Sequence, residues 1–176
     1  MRKTVLLAVV ILAAAAAATS ALTATLTSVE MDIVVRPDGK AAVFESLDWH
    51  ASGGQMHGFY FEGAAAEPVF NLNQCFADLA GGARVGLSIS PVRAGRYDVV
   101  LAGGRRFTGS AMYFLNSGLD LAGARLIGRT TSSQYGELFY FDWAPEEWEY
   151  PMEHRTLRIV LPVKVSGDSL PASTLD

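Results

Sequence analysis

The stretch from Val29 to Trp49 constrains the fold more than any other. Val29, Met31, Ile33 and Val35 recur at every second position, then Arg36-Pro37-Asp38-Gly39-Lys40 intervenes, and Val43, Leu47 and Trp49 resume the same period. Apolar residues at period two mark a strand with one buried face. Pro37 presets φ for a turn corner, Asp38 can bond its own backbone, and Gly39 supplies the positive φ of a tight reversal. The expectation is an antiparallel hairpin with a common buried face. Glu45 interrupts the apolar row. Its structural reading is an edge position or a carboxylate paired with an arginine, which is commoner than a catalytic acid.

The N-terminus carries Met1-Arg2-Lys3 followed by an apolar and small-residue run from Thr4 to Ala18, and the next charge is Glu30. A basic start, an apolar segment and the small-residue sites Ala16-Ala17-Ala18 and Ala18-Thr19-Ser20 describe a secretory signal, assigned to residues 1–21. An uncleaved anchor is the alternative, because residues 19–28 are also uncharged, although their Thr and Ser make a poor continuous span. The expected location is extracytoplasmic: secreted, periplasmic or attached to the envelope. Cleavage removes Arg2 and Lys3, so the formal charge of -4 becomes -6. An acidic domain argues against nucleic acid as a partner. Cys75 is the one cysteine, so no internal disulfide can form. Val69, Phe70, Leu72 and Phe76 around it predict a buried, inert thiol.

The remaining chain, about 155 residues, suits one domain. Strands are expected over residues 57–62, 69–76, 85–89, 96–101, 107–115, 122–127, 137–143 and 155–165, separated by Gly, Pro, Asn, Asp and Ser clusters. About ten short strands at this spacing predict an all-β fold, an antiparallel β-sandwich over residues 28–165 with a polar tail at 166–176. A helical turn is expected only at residues 144–148, where Pro145 precedes Glu146 and Glu147.

Pro37-Asp38-Gly39, Glu45, His57-Gly58-Phe59-Tyr60, Phe139-Tyr140-Phe141-Asp142-Trp143, Trp148, Pro151 and Leu157-Arg158-Ile159-Val160-Leu161-Pro162 together resemble the N-terminal ectodomain of the bacterial predicted-membrane-protein family of unknown function 2207. The likeness runs from about Glu30 to Pro162. It implies an extracytoplasmic β domain and no particular activity. In that family the ectodomain usually precedes transmembrane helices. Here the sequence ends at Asp176, which suggests either a stand-alone secreted relative or a chain cut short of its membrane region.

The motifs of common chemistries are absent from the sequence. Gly86-Leu87-Ser88-Ile89-Ser90 lacks the final glycine of a nucleophile elbow and reads as a strand. Gly103-Gly104-Arg105-Arg106 is a turn with two cations rather than a phosphate loop. His50 and His57 with Asp48 could converge on a metal, but the spacing is not that of a preformed site, and His154 is remote. Leu170-Pro171-Ala172-Ser173-Thr174 lacks what a sortase signal requires.

One segment, residues 142–153, gathers Trp143, Trp148 and Tyr150 among acids that include Asp142 and Glu146. Aromatic faces beside carboxylates can stack on sugars or ligate calcium. Trp143, Trp148, Tyr150, Asp142 and Glu146 are therefore the candidate ligand-binding residues; the competing reading has the tryptophans capping one end of the domain. Paired acids about 5 to 9 Å apart could also serve glycoside hydrolysis, but Glu146 and Glu147 diverge on any regular element. The reading that results is a non-catalytic interaction or structural module, with no catalytic residues, cofactor or metal, whose partner is a glycan or an envelope protein. A membrane tether through the N-terminal segment or a missing C-terminal region is compatible with it. The alternative is a glycan-active or metal-dependent hydrolase on residues 142–153 assisted by His57 or His154.

Overall fold

A computed structural model describes residues 21–143 and 152–162. The fold is all-β, as expected from the alternation. The described residues form eleven strands: β1 (Thr23–Val35), β2 (Lys40–Met56), β3 (Gly58–Glu62), β4 (Val69–Phe70), β5 (Phe76–Leu79), β6 (Arg84–Arg93), β7 (Arg96–Leu101), β8 (Phe107–Asp120), β9 (Ile127–Ser132), β10 (Gly136–Phe141) and β11 (His154–Val160). The main sheet runs β11-β1-β2-β8-β5-β6-β7-β3, with β4 also on β8, and β9 and β10 form a separate hairpin. Residues 1–20, 144–151 and 163–176 lie outside the described residues, and with them most of the signal segment and the helical turn expected at 144–148.

The founding hairpin forms as its residues dictate. Val35 pairs with Ala41, Val29 with Leu47 and Leu26 with Trp49. In the turn, Arg36 N–H donates to Lys40 O, Gly39 N–H to Arg36 O and Lys40 N–H to Asp38 Oδ1. Gly39 sits at φ +78°, and a Cβ there would stand 2.6 Å from the Ala122 Cβ. A glycine is thus required twice, by conformation and by the neighbouring loop.

Several expectations are corrected. The strands are not uniformly short: β1, β2 and β8 span 13, 17 and 14 residues. Pairing is not wholly antiparallel, because β11 lies parallel to β1, with Ser28 opposite His154 and Val34 opposite Val160. An extra residue, Thr27, bulges from β1, and its carbonyl accepts from Glu153 N–H at the start of that parallel ladder. Residues 122–126 form turns rather than a strand, with Ala124 N–H on Asp120 O and Leu126 N–H on Leu121 O. The expected strand at 69–76 is split by a 3₁₀ turn over Leu72–Gln74. Finally, Glu45 is no edge residue. β2 has β1 on one side and β8 on the other, and Glu45 is 4% exposed between Val43 and Leu47.

The inner face of β1, β2 and β8 supports two apolar clusters. The larger contains Leu26, Val29, Leu47, Trp49 and Tyr113 together with Phe59, Phe61, Tyr97, Val99 and Leu101 from β3 and β7. Those distant strands reach it because β6 changes partners, pairing with β5 through Arg84–Gly86 and with β7 from Leu87 onward. The smaller cluster holds Met31, Ile33, Val35, Val43, Leu119 and Leu121, covered by Leu126, Ile127, Phe141 and Trp143. Burial of such side chains is worth roughly 1.5–3 kcal/mol each, which lets a domain lacking a disulfide close. The opposite face of the same strands is left to solvent.

Candidate functional site

Alternation along the long strands delivers a second set of side chains to the outer face. Glu30 lies opposite Thr156 on β11 and Ser46 on β2; Ser46 faces Phe114 on β8; Phe114 faces Phe76 on β5; Phe76 faces Gly86 on β6. One step along, Arg158, Asp32, Phe44 and Asn116 form a parallel row across β11, β1, β2 and β8. These rows floor a half-open groove of about 770 Å³. Its rim is the 3₁₀ turn, where Leu72, Asn73 and Gln74 leave the ladder between β4 and β5.

The groove is built around aromatic and polar contacts. Phe76 and Phe114 lie 4.7 Å apart with planes inclined by 31°. The Arg84 guanidinium stands 3.9 Å from the centre of the Phe76 ring. It is held there by Asp78, receiving two hydrogen bonds of 2.8 Å from Nε and Nη2. Those bonds hold the Asp78 carboxyl below its ordinary range and raise the guanidinium in turn. Arg158 pairs with Asp32 at 3.2 Å. Phe44 remains 46% exposed, which is unusual for a phenylalanine with no side chain across from it but Asp32 and Asn116.

Beneath the groove, Cys75 is buried and free. Burial pushes its thiol up; the Asn116 N–H on its sulfur lowers it and the Glu45 charge raises it further. A neutral thiol of this kind matches the inert reading.

The residues singled out from sequence distribute differently. Asp142 is exposed, and its N–H donates to Leu126 O. Trp143 packs on the second cluster with its ring stacked on Phe141, centroids 6.1 Å apart and planes 2° apart. Its Nε1 is buried and has no hydrogen-bond partner among the described residues. Trp148, Tyr150 and Glu146 lie outside the described residues. His50 bonds Ser110 Oγ and His154 bonds Thr156 Oγ1. Among the described residues no group of three His, Cys, Asp or Glu side chains is placed to hold a metal ion, so Asp48, His50 and His57 do not converge. No described helix is long and apolar enough to cross a membrane.

Sequence reasoning missed the groove altogether. Its signal was available: Phe44, Phe76 and Phe114 occupy the outward phase of strands whose inward phase is already apolar.

No family model matches the chain, and no curated protein matches it. Among solved structures, one from Parabacteroides distasonis, described provisionally as a protease, is similar over 55% of this chain at 13% identity and a TM-score of 0.34. The chain spans 23% of that protein's length.

Proposed function

We propose that this protein is a non-catalytic binding module of the cell envelope, exported by residues 1–21 and folded as a two-layered β-sandwich whose outer sheet face meets its ligand. The sandwich reading rests on Phe59 of the end strand β3 stacking on Trp49 of β2, which folds one end of the long sheet back over its inner strands. The functional reading rests on one observation, the groove across β11-β1-β2-β8-β5-β6. Its volume is in the range of ligand sites, and it combines apolar surface with a few placed polar groups. Its arginines are engaged with Asp78 and Asp32, an arrangement that suits recognition better than proton transfer or nucleophilic attack.

The test is co-sedimentation of the purified exported form with isolated cell envelopes, beside the Phe44→Asp variant. Phe44 is exposed, so the substitution leaves the core intact. The bound fraction should fall severalfold in the variant. Equal sedimentation of both proteins, or of neither, overturns the reading.

A further inference from the structure

The chemistry of the groove selects among ligand classes. An anionic polymer requires cations free to meet it, and both arginines that line the groove already hold carboxylates: Arg84 on Asp78 and Arg158 on Asp32. A polycation is no better served. Of the lining acids, Asp32 is engaged by Arg158 and Glu45 points into the core, leaving Glu30 as a hydrogen-bond acceptor at one end. An extended peptide gains most of its affinity by adding to a sheet edge through backbone hydrogen bonds. Here five of the six strands under the groove lie inside the sheet, where ladder pairing already engages the backbone, and among the described residues only β11 ends it.

What the face does offer is flat apolar surface interleaved with neutral donors and acceptors. Phe44 is exposed, and the Phe76–Phe114 pair with its overlying guanidinium continues the apolar track. Ser46, Asn116 and Thr156 bring hydroxyl and amide groups into the same rows. The track crosses six strands, so it is roughly 24 Å long at about 4.8 Å between strands. That length fits a chain of several units rather than one small molecule.

We infer that this groove binds a neutral oligosaccharide laid across the strands, with the exposed Phe44 under the apolar face of one ring, the Phe114–Phe76–Arg84 stack as an apolar wall beside the next, and Ser46, Asn116 and Thr156 on its hydroxyls. The inference rests on the reading of this face as a ligand surface and adds the ligand's class. Gly86 fits it: a Cβ there would meet nothing within 4 Å, so the floor is open above β6.

Gly86 also supplies the decisive variant. Gly86→Leu adds bulk to the groove without removing a contact, whereas Phe44→Ala removes the exposed ring. The experiment follows backbone amide signals of the exported protein on addition of cellohexaose, maltohexaose, an oligogalacturonate and an extended alanine–threonine peptide. A neutral hexaose should shift the signals of Phe44, Gly86 and Asn116, and each variant should weaken that binding at least tenfold while its remaining spectrum is unchanged. Shifts confined to the oligogalacturonate or the peptide, or binding indifferent to both variants, overturn the neutral-glycan inference. In that case groove-dependent sedimentation with envelopes would still support the binding module. Silence with every probe, together with sedimentation indifferent to Phe44→Asp, overturns both.

Discussion

The Trp49 and Phe59 rings lie 5.3 Å apart and 29° from parallel, and this pair joins the long strand β2 to the short strand β3 that follows it in sequence. Tyr113 on β8 meets the same Phe59 edge-on at 5.2 Å. The end strand β3 is therefore locked by one aromatic cluster onto β2 and β8, which neighbour each other in the sheet but lie well away from β3 in its order. Phe59→Ala should lower unfolding free energy by about 3–5 kcal/mol, the usual cost of deleting a buried phenylalanine. Phe59→Leu should cost distinctly less, because it keeps most of the volume. Urea denaturation of both variants measures the difference; equal and small losses would show that β3 closes onto β2 and β8 without this contact.

The passage from β2 to β3 depends on Gly58 for steric reasons. A Cβ at this position would run into Val99 O and stand 2.8 Å from Val100 Cα, both backbone atoms of the paired strand β7. Backbone cannot yield as a flexible side chain can. Gly58→Ala should therefore destabilise by about 1–3 kcal/mol, as overpacking does. Gly86→Ala, built into open space, should change stability little. Thermal unfolding of the two variants side by side checks the contrast.

The same local chemistry explains what could be read from sequence. Val29–Trp49 was legible because alternation, Pro37, Asp38 and Gly39 all act within a few residues of one another, and β7 was legible to its ends for a similar reason. The parallel pairing of β11 was not, since it joins residues 120 or more positions apart and hangs on a bulge at Thr27 that no side chain announces. Glu45 misled because a charged residue in an apolar row suggests an edge, whereas β2 is central. The groove was only partly legible, for a different reason: the outward phase of each ring could be read, but not their meeting. Phe44, Phe76 and Phe114 come from three separate strands, and only the register of β2, β8 and β5 puts them on one face.

Two tyrosines give the domain a specific response to alkali. Tyr97 is buried and donates to the Glu67 carboxylate, and burial followed by that hydrogen bond pushes its phenol from 10.0 up to about 12. Burial alone raises Tyr113, whose hydroxyl has no hydrogen-bond partner among the described residues. A folded-state pKa above the unfolded one means that the stabilisation is complete below pH 10 and is lost as pH rises toward about 12. Unfolding free energy should accordingly fall across that window. Tyr97→Phe should flatten the decline while costing some stability at neutral pH. Denaturation at a series of alkaline pH values, with tyrosinate absorbance followed in parallel, checks both the slope and its source.

Cys75 should behave as a reporter of opening rather than as a reactive thiol. Its side chain is 2% exposed, Asn116 N–H lies 3.4 Å from Sγ, and the S–H faces Asn116 O at 3.6 Å. Burial raises the thiol above its ordinary 9.0, so little thiolate exists in the folded protein even in mild alkali. Because only the thiolate attacks, iodoacetamide should label the native protein far more slowly than a free cysteine, and labelling should speed up with urea as the unfolded population grows. The groove above Cys75 adds a second expectation. A ligand held on Phe76 and Asn116 stabilises the folded form by mass action and should slow labelling further at every urea concentration below the transition. Rapid, urea-independent labelling would mean that the segment carrying Cys75, between the 3₁₀ turn and β5, opens on its own, and would separate the thiol from the core in which it is packed.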